Sequence, residues 1–272
     1  MRKIELDWTK KDVWDLKFEK TQTYEMCIEA VGQYGCLLEH VRFGDLNLTK
    51  EQIYNLCLIA VKQNGKALKY AKLDGLSKEQ IDKICLEAVK QNSSAIQFVE
   101  NQTEEMCLIA VKNWGWNLYY VKNQLYEICR EAVKQNGRAL EYVKWDELTK
   151  EQFIAICLEA VKENAWALQY IEEQLDEICK EALTQNIDAI RYVKYKEKYL
   201  KEFGIKYLEK QGNAREVFAV KRCNIWLFTI GCQRNITKEE FIYRIYNTNG
   251  GFDLENGINV HRQVYLDFLK EF

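Results

Sequence analysis

Apolar residues recur along residues 23–194 in a pattern with a basic unit of 22 residues. Seven Cys residues anchor the copies, and spacings of 30, 28, 22, 22, 28 and 22 residues between them show that some copies carry a longer connection. Counted from each anchor, position −1 is Met, Leu or Ile, position +3 is always Ala, and position +4 is Val or Leu. Because positions 0, +3 and +4 share one face of an α-helix, each repeat is predicted to begin with an α-helix, helix A. The anchors are Cys27, Cys57, Cys85, Cys107, Cys129, Cys157 and Cys179.

A second apolar pattern follows in each repeat and predicts a shorter helix B. Position +11 is Leu or Ile, position +14 is Val, Ala or Ile, and position +13 is aromatic in six copies. Asn precedes Gly, Ser or Ala at positions +7 and +8 of four copies, for example Asn64-Gly65. Since Asn and Gly tolerate the left-handed conformation that ends many helices, helix A is expected to end there. A helix of seven or eight residues is unstable alone, so the helix pairs are expected to stack as a solenoid.

Three repeats have a longer connection that ends in a capping box. In this motif a Ser or Thr at the N-cap and a Gln three residues later bond each other's backbone N–H, which marks the start of a helix. The pairs are Thr49 with Gln52, Ser77 with Gln80, and Thr149 with Gln152.

The repeats end near residue 194, and a region of different character follows. A charged amphipathic stretch predicts a capping helix over 195–212, and two β-rich runs about Cys223-Asn224 predict a hairpin. Thr237 and Glu240 suggest another capping box that opens a helix through about Tyr246. A loop over 247–257 and a last helix over 258–270 follow.

These patterns predict a mainly α fold, an α-solenoid of seven short two-helix repeats with a small α+β C-terminal module. Leu16 and Phe18 fall at the +11 and +13 phase of a missing preceding repeat, which indicates an N-terminal half-repeat. The predicted parts are a cap over 1–22, a repeat array over 23–194, a capping helix over 195–212 and the module over 213–272.

Composition narrows the class of protein. The chain has 272 residues, ten Cys, no Pro and a formal net charge of −2. No stretch approaches eighteen uncharged apolar residues, and the start of the chain lacks the pattern of a secretion signal. We therefore expect no membrane span, a cytoplasmic location and reduced thiols. Residues 1–194 carry 26 basic and 31 acidic side chains, so the array is mildly acidic.

The Cys residues are interpreted mainly as small core residues, because one recurs at a fixed core phase and no CxxC pair occurs. Cys36 and His40 are four residues apart, which on an α-helix would place a thiol and an imidazole on one face. His40 nevertheless occupies the aromatic position +13 and is more simply a substituted core residue. The remaining set is Cys223, Cys232 and His261, which leaves a small thiol- or metal-dependent activity in the C-terminal module as an alternative.

Lys recurs at position +5 of five repeats, a spacing that would form a basic ladder for nucleic acid. The simpler interpretation is that cations favour the C-terminal end of a helix, and the acidic array disfavours a phosphate-tracking surface. RNA binding is therefore kept as an alternative. The five residues are Lys62, Lys90, Lys112, Lys134 and Lys162.

Four aromatic residues break the polar positions of the repeat. Trp114 stands at position +7, which is normally Asn, while Trp116 and Trp166 stand at the variable position +9 and Tyr119 at the mostly polar +12. These positions lie off the core stripe, and exposed Trp and Tyr are the side chains that anchor protein interfaces. Local packing is the competing explanation, but the four residues are the candidate partner-binding surface.

The repeats resemble a family of short tandem helical repeats whose consensus is close to CLxAVxxNGxALxYV. CLEAVKQNSSAIQFV from Cys85 and CREAVKQNGRALEYV from Cys129 carry the resemblance, which covers about residues 16–194. The family is a domain of unknown function and implies no catalytic residues, cofactor or metal. Its occurrence in bacterial, giant-virus and protist proteins implies host interaction or phage–host conflict as a setting. The sequence thus predicts a non-enzymatic protein that binds, and in such a setting inhibits, a protein partner.

Overall fold

A computed structural model of the chain describes residues 12–212, 214–247, 252–253, 258–259 and 262–272. The chain divides into two compact units, Met1–Tyr192 and Val193–Phe272. Among the described residues, each helix is too short or too polar to span a bilayer.

The first unit is a tandem array of seven repeats, each an α-helix followed by a six-residue 3₁₀ helix. Each α-helix contacts the α-helix of the next repeat, and each 3₁₀ helix contacts the next 3₁₀ helix, which confirms the predicted stack. The α-helices are α1 Tyr24–Gln33, α2 Lys50–Gln63, α3 Lys78–Gln91, α4 Glu104–Asn113, α5 Tyr126–Gln135, α6 Lys150–Glu163 and α7 Asp176–Gln185. The 3₁₀ helices are Gly35–His40, Gly65–Tyr70, Ser93–Phe98, Gly115–Tyr120, Gly137–Tyr142, Ala165–Tyr170 and Ile187–Tyr192, and Val13–Phe18 precedes the first repeat.

The core positions of the array are those that the pattern predicts. The side chains at the anchor and at positions +3, +4 and +11 are buried in all seven repeats. Leu16, ahead of the first repeat, is also completely buried, whereas Phe18 is 72% exposed. The part of the predicted cap over residues 1–11 lies outside the described residues.

The capping boxes are confirmed with both of their hydrogen bonds. Thr49 accepts from the backbone N–H of Gln52 at 3.2 Å, and the Gln52 side chain accepts from the backbone N–H of Thr49 at 2.9 Å. The pairs Ser77–Gln80 and Thr149–Gln152 make the same two bonds. The longer connections therefore start α2, α3 and α6 one turn earlier, giving 14 residues instead of the 10 of the other four α-helices.

Helix B is confirmed as a short helix, and its pitch is that of a 3₁₀ helix rather than an α-helix. In a 3₁₀ helix side chains three residues apart are eclipsed, and the buried positions +8, +11 and +14 of repeat 5 (Gly137, Leu140, Val143) follow that spacing. The aromatic residues at +13 are half-buried or exposed rather than core.

The expected left-handed end of helix A was wrong. Asn64 has an extended backbone, with φ −145° and ψ 107°. Its Oδ1 accepts from the N–H of Lys66 at 3.1 Å and so caps the start of the 3₁₀ helix. Gly65, which follows Asn64, is required by close approach of the next repeat, since a Cβ there would clash with the carbonyl oxygen of Ala88.

The second unit contains a four-stranded antiparallel sheet, and α-helices precede and follow this sheet along the chain. Strand order is β1-β2-β3-β4, and a separate two-stranded ladder joins β5 and β6. The elements are α8 Lys196–Glu202, β1 Ile205–Leu208, β2 Val217–Arg222, β3 Ile225–Ile230, β4 Gln233–Ile236, α9 Lys238–Asn247, β5 Phe252–Asp253, β6 Ile258–Asn259 and α10 Arg262–Leu269. Val217, Phe228, Phe241 and Phe268 are central to its core.

The hairpin is confirmed, because β2 and β3 pair around Cys223 and Asn224, which have φ values of 47° and 66°. The predicted capping helix over 195–212 was wrong in its second half. Gly204, at φ 61°, lies just beyond the end of α8, and Ile205–Leu208 pairs with β2 instead. The last helix is shorter than predicted, because Ile258–Asn259 forms strand β6. This strand pairs with β5, which lies within the expected loop.

Candidate functional site

The anchor cysteines are buried, free thiols without the character of reactive groups. All seven are at most 4% exposed. Burial raises the pKa of the Cys57 thiol from 9.0 to about 11 and that of Cys157 to about 12. Cys129 donates its thiol to Gln124 Oε1 at 3.8 Å, a long contact that suits a weak S–H donor. The column is therefore a packing feature, as predicted.

Thiol labelling of the folded full chain at about pH 8 is expected to separate these anchors from the exposed Cys223 and Cys232. With a pKa of about 11, a thiol is roughly 0.1% thiolate at pH 8, and burial also blocks the reagent. We expect Cys223 and Cys232 to react rapidly with an aromatic disulfide reagent and the anchors to react only after denaturation. Rapid modification of any anchor, located by mass spectrometry, would contradict this assignment.

The same pKa shifts set the sign of a pH effect on stability. Because the folded-state pKa of the six anchor thiols from Cys27 to Cys157 is raised, the unfolded chain loses these protons first as pH rises. The contribution of these thiols to the free energy of unfolding is fully present below about pH 9. It decreases as pH rises from about 9 towards 11 or 12.

The structure does not support a shared thiol site. Cys36 and His40 lie on a 3₁₀ helix, where residues four apart point about 120° away from each other. Cys223 and Cys232 lie in the turns at opposite ends of β3, a six-residue strand about 17 Å long. His261 lies outside the described residues. No cluster of three or more His, Cys, Asp or Glu suited to a metal occurs in the part of the chain that the structure describes.

A Gln at position −5 of every repeat is a structural residue that the sequence reasoning recognised in only three copies. In repeats with a short connection it links two 3₁₀ helices. Gln124 Nε2 donates to the carbonyls of Leu118 and Tyr142 at 3.1 and 3.0 Å, and its Oε1 accepts from the N–H of Lys144 at 2.8 Å. Gln22 and Gln102 make the same three bonds, and Gln174 makes the two carbonyl bonds.

The Lys residues at position +5 are all exposed, in the last turn of their α-helices or just beside it. Lys112 Nζ lies 3.7 Å from a carboxylate oxygen of Glu131 in the next repeat. The pKa of Glu87 is lowered first by Lys83 and further by Lys62 and Lys90. Part of the ladder therefore faces carboxylates of neighbouring helices, which reduces its attraction for phosphates.

Three of the four candidate aromatic residues lie together in one surface cavity of about 500 Å³. Trp114 is 52% and Tyr119 65% exposed, and Trp116 is half-buried. We call this cavity the aromatic groove. Its lining comes from the 3₁₀ helices of repeats 2 to 5 and from Trp114, which precedes one of them, and consists of Lys66, Ser94, Gln97, Trp114, Trp116, Asn117, Tyr119, Tyr120 and Tyr142. Trp166, in repeat 6, is half-buried and is not part of this lining.

The rings of the groove contact each other and form a continuous wall. The ring centroids of Trp116 and Tyr142 are 5.6 Å apart, those of Tyr142 and Tyr119 are 5.3 Å apart, and those of Tyr119 and Tyr120 are 5.1 Å apart. The tyrosine pairs meet edge to face, an arrangement that favours ordered rings. Sequence reasoning missed Tyr120 and Tyr142 because position +13 is aromatic in most repeats and was assigned to the core.

The groove also contains a buried polar side chain. Asn117 is 2% exposed and occupies position +10, where the other repeats carry Ala or, in the first, Leu. Its Nδ2 donates to the carbonyl of Ala110 at 2.9 Å, and its Oδ1 accepts from the Ser94 hydroxyl at 3.2 Å. The break in the Ala column was visible in the sequence, and it marks the repeat that also carries Trp114, Trp116 and Tyr119.

Comparisons with known proteins bear on the repeats alone. A search of curated proteins and a search of solved structures each found no match to the chain. Two adjacent segments of the chain, residues 103–149 and 155–197, match the model of a family described as a domain of unknown function (DUF4116), which is consistent with a repeat family whose function is unknown.

Proposed function

We propose that this protein is a non-enzymatic binding protein that holds a protein partner in the aromatic groove. The observation that carries the proposal is the exposure of Trp114 and Tyr119 beside Trp116 in a single cavity. Exposed aromatic clusters of this kind supply most of the binding energy at protein interfaces. A rigid array of 3₁₀ helices would present the rings with little loss of conformational entropy on binding.

The repeat design supports a binding role, since the core positions are nearly constant while the exposed positions differ from repeat to repeat. At position +9, repeats 2 to 5, which form the groove, carry Lys66, Ser94, Trp116 and Arg138. Such variation leaves packing unchanged and alters only the surface offered to a partner. Cytoplasmic location, inhibition of the partner and a role in host interaction are parts of the proposal that rest on the sequence-based expectations.

RNA binding along the Lys ladder has weaker support. The five Lys residues at position +5 are all within the described residues, and none of them lines the aromatic groove. A nucleic-acid surface gains its affinity from several cations placed along the phosphate backbone. Here the rings and the ladder are on different helices of the repeat, so stacking and phosphate contacts would not coincide.

Replacing the groove aromatics with the residues of repeat 3 is expected to weaken binding strongly without unfolding the array. The variant Trp114→Asn, Trp116→Ser, Tyr119→Gln carries what repeat 3 has at positions +7, +9 and +12. In a selection from a phage-displayed random dodecapeptide library, the wild-type chain should enrich peptides, and their affinity for the variant should fall at least ~10-fold.

The matched control is Trp14→Ser, at position +9 ahead of repeat 1 and outside the groove. It removes a tryptophan that is 40% exposed and should leave the affinity unchanged. Trp166→Ser tests whether the partner extends to repeat 6, and a smaller loss than in the groove variant is expected. Equal affinity of wild type and groove variant for the selected peptides would show that the groove is not the binding site.

A further inference from the structure

The polar groups of the aromatic groove define what it can bind. A side-chain amide has two N–H donors and a carbonyl oxygen with two lone pairs. Asn117 uses one donor on Ala110 and one lone pair on Ser94. The remaining N–H and lone pair can pair with one N–H and one C=O of a peptide backbone, since both carry the same chemistry. An amide at a core position therefore suits an extended peptide better than an apolar ligand.

The charge of the lining favours an acidic peptide. Lys66 is the one ionic side chain among the lining residues, and it is exposed. The indole N–H groups of Trp114 and Trp116 and the hydroxyls of the tyrosines are further donors. The tyrosine hydroxyls are protonated at neutral pH because the ordinary pKa of Tyr is about 10, and burial raises the pKa of Tyr142 further.

Glu141, the acid next to the groove in sequence, does not line it. Burial raises the pKa of Tyr170 in the next repeat, and the Glu141 carboxylate, which accepts a hydrogen bond from the Tyr170 hydroxyl, raises it further. The groove thus offers a cation and several neutral donors, without a carboxylate among its lining residues, to whatever enters it.

We propose that the aromatic groove binds an extended segment of a protein in which a carboxylate side chain neighbours an aromatic or aliphatic one. In this arrangement the Asn117 amide pairs with the segment's backbone, Lys66 holds the carboxylate, and the wall of Trp116, Tyr119 and Tyr142 covers the apolar side chain. The inference rests on the proposed function and adds the chemistry of the partner. Charge complementarity of this kind fixes which partner binds more than how tightly it binds.

Charge reversal at Lys66 tests the assignment directly. The same random dodecapeptide library is selected on full-length wild type, on Lys66→Glu and on Asn117→Ala, and the enriched pools are sequenced. The wild-type pool should be enriched in Asp and Glu beside aromatic or aliphatic residues, whereas the Lys66→Glu pool should be enriched in Lys and Arg. Asn117→Ala introduces the residue that most other repeats carry at this position. It should lower the affinity for the peptides selected on wild type about tenfold, without changing the preference for acidic residues.

Lys134→Glu is the control, because it makes the same change in net charge at an exposed position outside the groove lining. The peptides selected on Lys134→Glu should still be enriched in Asp and Glu. A groove-dependent pool without acidic preference, or one unchanged by Lys66→Glu, would overturn this inference and leave the proposed function standing. Failure of wild type to enrich any peptide would overturn both. Tighter binding of a uridine 20-mer than of selected peptides, lost in the groove variant, would replace the peptide with single-stranded RNA.

Discussion

Replacing Gln124 with Ala is expected to lower the free energy of unfolding by about 3 kcal/mol, although the change removes only a short polar side chain. Gln124 is 5% exposed and satisfies the carbonyls of Leu118 and Tyr142 and the N–H of Lys144. Its loss leaves the Tyr142 carbonyl and the Lys144 N–H with no partner, while the Leu118 carbonyl keeps only the N–H of Val121. Each buried orphan costs about 1–3 kcal/mol. Partial solvation of the truncated site keeps the total below the sum of these penalties.

Gln152→Ala is the matched control for this effect. Gln152 occupies the same position −5 in repeat 6, but there it is the N3 residue of a capping box at the half-exposed start of α6. Losing that side-chain bond should cost about 0.5–1 kcal/mol. Urea unfolding of both full-length variants, followed by circular dichroism at 222 nm, measures the difference. Equal losses would mean that the link between 3₁₀ helices contributes little to stability.

The features that sequence predicted correctly are those encoded within a few residues. A capping box needs only Thr49 and Gln52, three residues apart on one chain segment. A hairpin needs a turn that permits positive φ, as Cys223-Asn224 does, between two β-rich runs. The burial of the anchor cysteines is equally predictable, because a Cys occupies the same position of the helical pattern in all seven repeats.

The features that sequence missed depend on contacts between repeats or between distant strands. Each helix B packs on the 3₁₀ helix of the next repeat, and Gln124 also bonds the carbonyl of Tyr142 at the end of one of them. Amphipathic periodicity over six residues cannot separate 3₁₀ pitch from an α-helix. Ile205–Leu208 continues an apolar helical pattern, yet it pairs with Val217–Val220 after Gly204 interrupts α8. Here the sheet overrides a local preference.

The candidate site was partly visible because its residues depart from the repeat. Trp114, Trp116 and Tyr119 each replace a more polar residue, and the structure brings all three into one groove. Lys66 and Tyr142 are ordinary for their positions, so only the stacking of repeats 2 to 5 shows that they line the same cavity. A repeat sequence therefore reveals which surface residues are unusual, while the structure adds the ordinary residues that complete the site.

Gly115→Ala is expected to destabilise the chain by about 3 kcal/mol. The added Cβ would lie 2.5 Å from the carbonyl oxygen of Ala132 and 3.0 Å from Oε1 of Gln135, which accepts the Gly115 N–H at 2.6 Å. Relieving the clash means moving α5 away, at about 1–3 kcal/mol for overpacking and about 1 kcal/mol for the weakened hydrogen bond. Replacing Gly with Ala also restricts the unfolded chain, which gains only about 0.4–1 kcal/mol, so the clash dominates.

Gly44→Ala separates the clash from the general effect of losing a glycine. A Cβ on Gly44 meets no atom within 4 Å, and this residue should tolerate Ala within about 0.5 kcal/mol. A Cβ on Gly35, Gly65 or Gly137 would meet the equivalent carbonyl oxygen of the next repeat in the same way. Ala165 occupies this position in repeat 6, so the requirement depends on how closely the next α-helix approaches each repeat. If urea unfolding gives the same free energy of unfolding for Gly115→Ala and Gly44→Ala, the helices of repeats 4 and 5 can move apart without loss of stability. The close approach of their backbones would then not be what selects glycine there.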